Sequence, residues 1–364
     1  MCSRVHATMP TVTEVLTVDA LLPDPAAIAR AAAILRGGGL VAFPTETVYG
    51  LGAHALDRVA VHRIFLAKER PSEDPLIVHV HDIGALASLT TDVPAAASAL
   101  AARFWPGPLT MVMPRSASVP DEVTAGLDTV AIRIPAHPVA HAIITAASIP
   151  VAAPSANLFS RPSPTRAEHV LQDLDGRIDL VVDGGPTTVG VESTVLDLTG
   201  SIPTILRPGA VTLEMIRTVL PQVRLEQRWA QEREGGMRAP GLLAKHYSPR
   251  AALTLYEGAA PSVTAKMAAD AAEVIGRGQR VGIVAADEDS FPGVSIEALQ
   301  LLRIGSERNA EALAANLYNA LRTLDASGVD VILARTFPDQ PGLTAAIHDR
   351  LRRAAAGRIV RVQP

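Results

Sequence analysis

Apolar and polar positions divide the chain into two unequal stretches of mixed helix and strand, joined by a polar segment. PAAIARAAAILR (25–36) carries its apolar residues at helical spacing and runs into Gly37-Gly38-Gly39, which predicts a helix and its stop. Leu40 to Phe43 is apolar and β-compatible, whereas Pro44 and the glycines of PTETVYGLG predict a loop after it. Helical period returns over 57–70, near 94–104, over 138–147 and over 165–174. Strand-like runs occupy 76–80, 108–114, 129–135, 150–155, 179–185, 193–198 and 203–209. Several neighbouring strands have no helix between them, so the pattern predicts an α/β domain on a mixed sheet over a strictly alternating parallel one.

Periodicity fades after Leu220. The segment 221–250 is polar, contains Gly235-Gly236 and Pro240-Gly241, and holds six basic against three acidic residues, which predicts a locally positive linker. Beyond it a regular alternation sets in: strand 253–258, helix 262–276, strands 280–286 and 295–302, helix 307–325, strand 329–336, helix 342–355 and strand 358–362. This predicts a smaller Rossmann-like α/β domain. The boundaries expected are 1–222, 223–249 for a linker or lid, and 250–364.

Composition narrows the function classes. With 364 residues, 48% hydrophobic and 19% charged, the chain can bury two cores and is unlike a disordered polymer. Cys2 is the only thiol, so intrachain disulfides and cysteine-based zinc clusters are excluded, and a reducing cytoplasm is the expected compartment. No charged segment followed by an apolar run opens the chain, and no uncharged apolar stretch approaches the roughly 18 residues of a membrane span. A formal charge of −4 rules out a basic coat for nucleic acid, so any RNA contact must be local. Only Lys68, Lys245 and Lys266 stand against 30 arginines, which draws notice to the two lysines that lie inside unusual motifs, Lys68 and Lys245.

Several candidate sites fail on spacing. GLGAHA (50–55) fits a dinucleotide fingerprint, but Pro44 and Thr45-Glu46-Thr47 separate it from the preceding strand. No Gly-Lys pair exists, which excludes a Walker A loop. His79 and His81 alternate as metal ligands on a strand do, yet no second cluster completes them, so no metal site is expected. Ser155, in APSAN, lacks the nucleophile elbow. What remains is a set of hydroxyl and basic residues in loops at strand ends: Thr47, Lys68, Arg70, His79, Arg133, Ser155, Asn157, Ser163, Ser193 and Arg207. Arginine forks and a lysine point charge suit a ligand with phosphates and a carboxylate. On spacing alone, separate surface arginines in ordinary ion pairs remain an equal alternative.

The series FPTETVYGLGAHA, AKERPSEDPLIVHV, FWPGPLTMVMP, TVAIRIPAHP, APSANLFSRPSPT, VESTVLDL and ILRPG resembles the threonylcarbamoyl-adenylate synthases with a YrdC-like catalytic domain. APGLLAKHYSP (239–249) and the α/β tail ending GLTAAIHDRLRRAA resemble that family's long form, so the likeness runs over nearly the whole chain. It implies an N-terminal YrdC-like domain with a twisted mixed sheet and an open cleft. The implied reaction makes threonylcarbamoyl-adenylate, pyrophosphate and water from L-threonine, bicarbonate and ATP, with magnesium accompanying the ATP. The product would pass to the machinery that threonylcarbamoylates transfer RNA; a non-catalytic RNA-binding module is the competing class.

Carried over position by position, the resemblance implies that Thr47, His79, Arg133, Ala153 and Ser193 line a threonine pocket. Arg70, Asp74, Thr129, Ser155, Ser163, Arg207 and Tyr247 would contact ATP. Lys68 with Arg70, and Ser155 with Asn157, form its two catalytic elements, with Lys68 on the phosphates. Glu69 and Asp74 depart from the family's more usual small residue and Asn, as do Leu242, Leu243 and Ala244 in the lid.

Overall fold

The computed structural model describes residues 12–226, 246–294 and 299–363. In the N-terminal part, eleven strands form one mixed sheet in the order Glu14–Thr17, Leu180–Asp183, Val41–Pro44, Tyr49–His54, Val151–Ala152, Ile77–His79, Thr129–Arg133, Leu109–Pro114, Thr194–Asp197, Thr204–Arg207, Arg224–Leu225. The mixed sheet agrees with the expectation from strands that lack intervening helices. Helices Pro25–Arg36 and Pro138–Ala147 cover one face, packing Ile28, Leu35, Ile143 and Ile144 against Phe43 and Val151. Arg58–Lys68, Ala95–Phe104 and Ala167–Leu174 contribute to the larger core, which also includes Tyr49, Val78, Met111 and Ile132.

Tyr49–His54 is the principal correction to the sequence expectation, which made PTETVYGLG a loop throughout. Only Thr45 to Val48 turns; Tyr49 onward pairs antiparallel with Val41–Pro44. Gly52 serves close packing there, since a Cβ would stand 2.7 Å from the Phe43 ring and 2.9 Å from Val151.

The C-terminal sheet has five parallel strands in the order Leu299–Arg303, Val281–Ala285, Val331–Arg335, Ala252–Glu257, Ile359–Arg361. This is the Rossmann-like arrangement expected, with helices Ala260–Gly276, Ala310–Ala326 and Thr344–Ala355 between strands.

The two parts share a buried seam. Val48 and Val191 of the first pack with Tyr247, Leu317 and Tyr318 of the second. Gly190, at φ 77°, lies so close to helix Ala310–Ala326 that a Cβ would be 2.4 Å from the Ala314 carbonyl oxygen and from the Ala315 Cα. Ion pairs Arg322–Asp173 (2.7 Å), Arg161–Asp325 (3.1 Å) and Arg350–Glu192 (2.7 Å) cross it. Arg224–Leu225 belongs to the first sheet, and His246 to Pro249 is buried, so most of the segment expected as a lid, 227–245, lies outside the described residues.

Candidate active site

Strands Ile77–His79 and Thr129–Arg133 run parallel with His79 and Arg133 as register partners, which brings both side chains to one end of the sheet. The loop Thr45 to Val48, the turn after Val151–Ala152 and the ends of Thr194–Asp197 and Thr204–Arg207 converge on the same place. They form an open cleft whose lining includes Thr47, Arg70, His79, Arg133, Ala153, Ser155, Ser193, Arg207 and Tyr247. Nine of the residues expected from sequence therefore meet at one surface.

Each cation is oriented by a specific anchor. Arg133 donates from Nε to the Gly107 carbonyl (3.2 Å) and from Nη1 to the Thr47 hydroxyl (3.0 Å). Its Nη2 stands 2.7 Å from Glu46 Oε1 as an ion pair without an aligned hydrogen bond, so a donor remains for a ligand. Thr45 donates to the Val48 carbonyl and lies 2.8 Å from the Thr47 hydroxyl, which leaves Thr47 to donate to Thr45 while accepting from Arg133. Arg207 donates to the Ser193 carbonyl from Nε (3.1 Å) and Nη2 (3.0 Å), and to the Ser193 hydroxyl (3.2 Å). The Ser193 hydroxyl is within 2.8 Å of Thr110.

Arg70 owes its direction to a helix end. Helix Arg58–Lys68 closes on Glu69 in the left-handed region (φ 53°), and the Arg70 amide bonds back to the Phe65 carbonyl. Arg70 then pairs with Asp74 at 2.9 Å and donates to the Pro75 carbonyl at 2.8 Å. Burial lowers the Arg70 pKa, opposed by the Asp74 charge.

Lys68 corrects the expectation that it reaches phosphates. Its ammonium is buried and bonds at 2.5 Å to the carbonyls of Ser155 and Asn157, so it braces that loop from behind. Burial, and then the Arg70 charge, push its pKa well below the ordinary lysine range. Asn157 donates to the carbonyls of Leu158 and Arg161 and shapes the same loop. Asp74, Ser163 and Thr129 are likewise outside the cleft lining. Asp74 holds Arg70, Ser163 bonds Glu192, and Thr129 begins the strand that Arg133 ends, about 13 Å away.

Burial and the adjacent Arg133 hold the His79 pKa down to about 3, so the imidazole is neutral. His246 is also neutral, pushed well below its ordinary value by burial and by the charges of Arg70 and Lys68. Tyr247 sits at φ 59° with its ring 5.3 Å from the Arg350 guanidinium and 5.6 Å from the Tyr318 ring. Burial, then the Glu192 charge, raise its hydroxyl to about 12. His79, His246 and Tyr247 line the cleft, and His79 Nδ1, His246 Nδ1 and the Tyr247 hydroxyl are buried atoms with no hydrogen-bond partner among the described residues. An unmet buried polar atom costs about 1–3 kcal/mol, so a polar ligand is the natural occupant.

Among polar residues, Thr45, Glu192 and His246 line the cleft without having been assigned from sequence, and Glu46 pairs with Arg133 beside it. Glu46 and Glu192 each adjoin an expected ligand residue, Thr47 and Ser193, and a buried arginine needs a counter-carboxylate. That requirement is the signal that could have found them. His81, the other half of the rejected metal pair, contacts Asp82 at 2.6 Å. Among the described residues no group of three or more His, Cys, Asp or Glu converges as metal ligands, and no helix is long and apolar enough to cross a membrane.

Comparison with known proteins gives a consistent answer along the chain. A family model described as "Telomere recombination" (Sua5_yciO_yrdC) matches residues 33–209, and one described as "Threonylcarbamoyl-AMP synthase, C-terminal domain" matches 211–356. A threonylcarbamoyl-AMP synthase of Bacillus subtilis is 46% identical over 344 residues, covering 94% of this chain and 97% of its own. One of Pyrococcus abyssi is 45% identical over 332 residues, 91% of this chain and 95% of its own. The crystal structure of P. abyssi Sua5 complexed with L-threonine superposes with a TM-score of 0.89 at 43% identity, covering 96% of this chain and all of that one.

Proposed function

The chain belongs to the threonylcarbamoyl-AMP synthase family and is an enzyme, and from that premise we propose that it works as a nucleotidyltransferase on L-threonine, bicarbonate and ATP. The single observation that carries this reading is the gathering of three arginines in one cleft: Arg133, bonded to Thr47 and close enough to His79 to lower its pKa, is taken as one wall, and Arg70 with Arg207, whose charges act on each other, as the other. A substrate with a carboxylate at one end and phosphates at the other matches them.

On the first wall, Arg133 forks onto the threonine carboxylate, a charge-assisted contact worth roughly 1.5–3 kcal/mol. Neutral His79 can accept a hydrogen bond from the amino group without repelling it, the Ser193 hydroxyl faces the polar end, and Ala153 leaves room for the methyl group. Threonine's amine and bicarbonate condense to a carbamate with loss of water. A carbamate oxygen then attacks the α-phosphorus of ATP, the bond to the bridging oxygen breaks, and pyrophosphate leaves. Catalysis needs no protein nucleophile; it rests on alignment and on Arg70 and Arg207 stabilising charge on the leaving pyrophosphate.

Lys68 and Asn157 act through the loop that presents Ser155, and Asp74 acts through Arg70. Tyr247 offers its ring and unmet hydroxyl to the nucleotide. Thr129 would meet only a part of the ligand that extends beyond the lining. Glu192, the carboxylate that lines the cleft, already pairs with Arg350, and Glu46 beside the cleft pairs with Arg133. A magnesium ion accompanying ATP would therefore be held mainly by phosphate oxygens and would neutralise their charge. The product would feed the transfer-RNA threonylcarbamoylation machinery, with the cytoplasm as the place of work. The RNA-binding alternative is set aside, because relatives matched over more than nine-tenths of the chain are named as synthases.

The test is pyrophosphate release by the purified chain, with threonylcarbamoyl-AMP identified by mass spectrometry. Release should require threonine and bicarbonate together. Unchanged release without threonine would overturn the reading.

A further inference from the structure

Glu192 is a carboxylate in the wall of the cleft, yet three of the four hydrogen bonds it accepts from described side chains come from the C-terminal domain. The Tyr318 hydroxyl lies 3.1 and 3.0 Å from its two oxygens, Arg350 Nε donates to Oε2 at 2.7 Å, and Ser163 donates to Oε1. Arg350 has no exposed side-chain surface; it is braced by Asp349 at 2.6 Å and roofed by the Tyr247 ring. Burial alone would raise the Glu192 pKa, but Arg350 and then Arg207 lower it, so it is an anion facing the cleft. Its chain neighbour Ser193 accepts three hydrogen bonds from Arg207.

We propose that Arg350 and Tyr318 are positioning residues of the active site: they hold and neutralise the Glu192 carboxylate from behind, so that Arg207 stays directed at the nucleotide phosphates. The proposal rests on the reading that a nucleotide lies along Arg70 and Arg207. Without Arg350, Glu192 would be a buried anion whose nearest remaining cation in the wall is Arg207. It would compete with the phosphates for that guanidinium and repel them. Arg133 keeps its own anchors in Gly107, Thr47 and Glu46, so its contact with the threonine carboxylate would be altered less. This gives the C-terminal domain a defined task in a reaction whose ligands it need not touch.

The test measures KM for ATP and for threonine separately in the full-length chain, with melting curves for every variant. Arg350→Met should raise KM for ATP about tenfold or more and KM for threonine less than about threefold, the range expected when one partner of a buried charge pair is removed. Adding Glu192→Gln to Arg350→Met removes the stranded charge and should bring KM for ATP back towards that of Glu192→Gln alone. A purely structural role predicts the opposite, additive losses in the double variant. Tyr318→Phe, a smaller change, decides the matter if Arg350→Met does not fold: it should raise KM for ATP a few-fold with KM for threonine unchanged. Equal rises in both KM values, or an unchanged KM for ATP in a folded variant, would overturn the proposal. Failure of the wild-type chain to use ATP would instead overturn the functional reading itself.

Discussion

Arg133 and Arg335 each end a sheet strand, each is buried, and each faces carboxylates. Arg335 stands at the carboxyl end of a parallel sheet, where ligands of doubly wound folds commonly bind. Yet its Nε donates to both oxygens of Asp289 (2.8 and 3.0 Å), Nη1 to the Thr336 carbonyl (3.0 Å) and Nη2 to Glu307 (2.6 Å). Asp289 further accepts the Ala286 amide at 2.8 Å. Around Arg133 the counting ends differently: Nη2 and Glu46 Oε1 have no aligned partner, and His79 Nδ1 has none. A buried arginine with each of its three nitrogens held by protein oxygens is a clasp. A buried arginine beside unmet polar atoms and open space is prepared for a ligand, and that difference, rather than charge or place in the fold, separates the two ends of this molecule.

The contrast can be broken by substitution, most strongly on the clasp. Arg335→Met leaves Asp289 buried and uncompensated, which should cost about 3–5 kcal/mol in stability. Urea unfolding of the full chain would measure it, and the affinities for threonine and ATP in the folded fraction should be unchanged. Altered threonine affinity would mean that the clasp and the cleft are one system.

Arg133→Ala should act in reverse, weakening threonine binding roughly 30-fold or more, from a loss of about 2–5 kcal/mol in a buried charge-assisted contact. Arg207→Ala should weaken ATP binding in the same range and threonine binding less, because the Ser193 hydroxyl loses a donor while Arg133 keeps its anchors. Calorimetry with each ligand separates the walls; a reversed pattern would exchange their assignments.

The two regions also differ in what the sequence discloses. The helix and strand alternation beyond residue 250 predicts the five-stranded parallel sheet almost element by element, because each β-α connection carries its own period. The eleven-stranded sheet is harder to read: Glu14–Thr17 and Arg224–Leu225 are edge strands of four and two residues, too short for a pattern. Tyr49–His54 is hidden by glycines that serve contact with Phe43 rather than a turn. In the cleft the ligand-facing residues are legible through motif resemblance. Their anchors are not, because Lys68 meets Asn157 at a separation of 89 residues and Arg350 meets Glu192 at 158. Local periodicity carries no information on such pairs. The sequence accordingly put Lys68 on the phosphates when its ammonium is enclosed by backbone carbonyls.

The smallest effect sharpens the comparison through pH. His79 is buried beside Arg133 with its pKa near 3, against about 6.5 for an exposed imidazole. Between those values the unfolded chain binds a proton at this position and the folded chain does not, so the unfolded state gains as pH falls. The sign follows: stability from this residue is complete above about pH 6.5, declines by about 1.4 kcal/mol per unit below it, and reaches its floor near pH 3. His79→Gln removes the titration, so the fall in unfolding free energy between pH 6.5 and 5.0 should be smaller than in the wild type by about 1.5 kcal/mol. Urea titrations at the two pH values measure this, and carboxylates scarcely titrate in that window. Equal slopes for His79→Gln and the wild type would mean that His79 gains a proton in the folded protein as readily as in the unfolded chain, and the neutral imidazole assigned to the threonine amine would have to be abandoned.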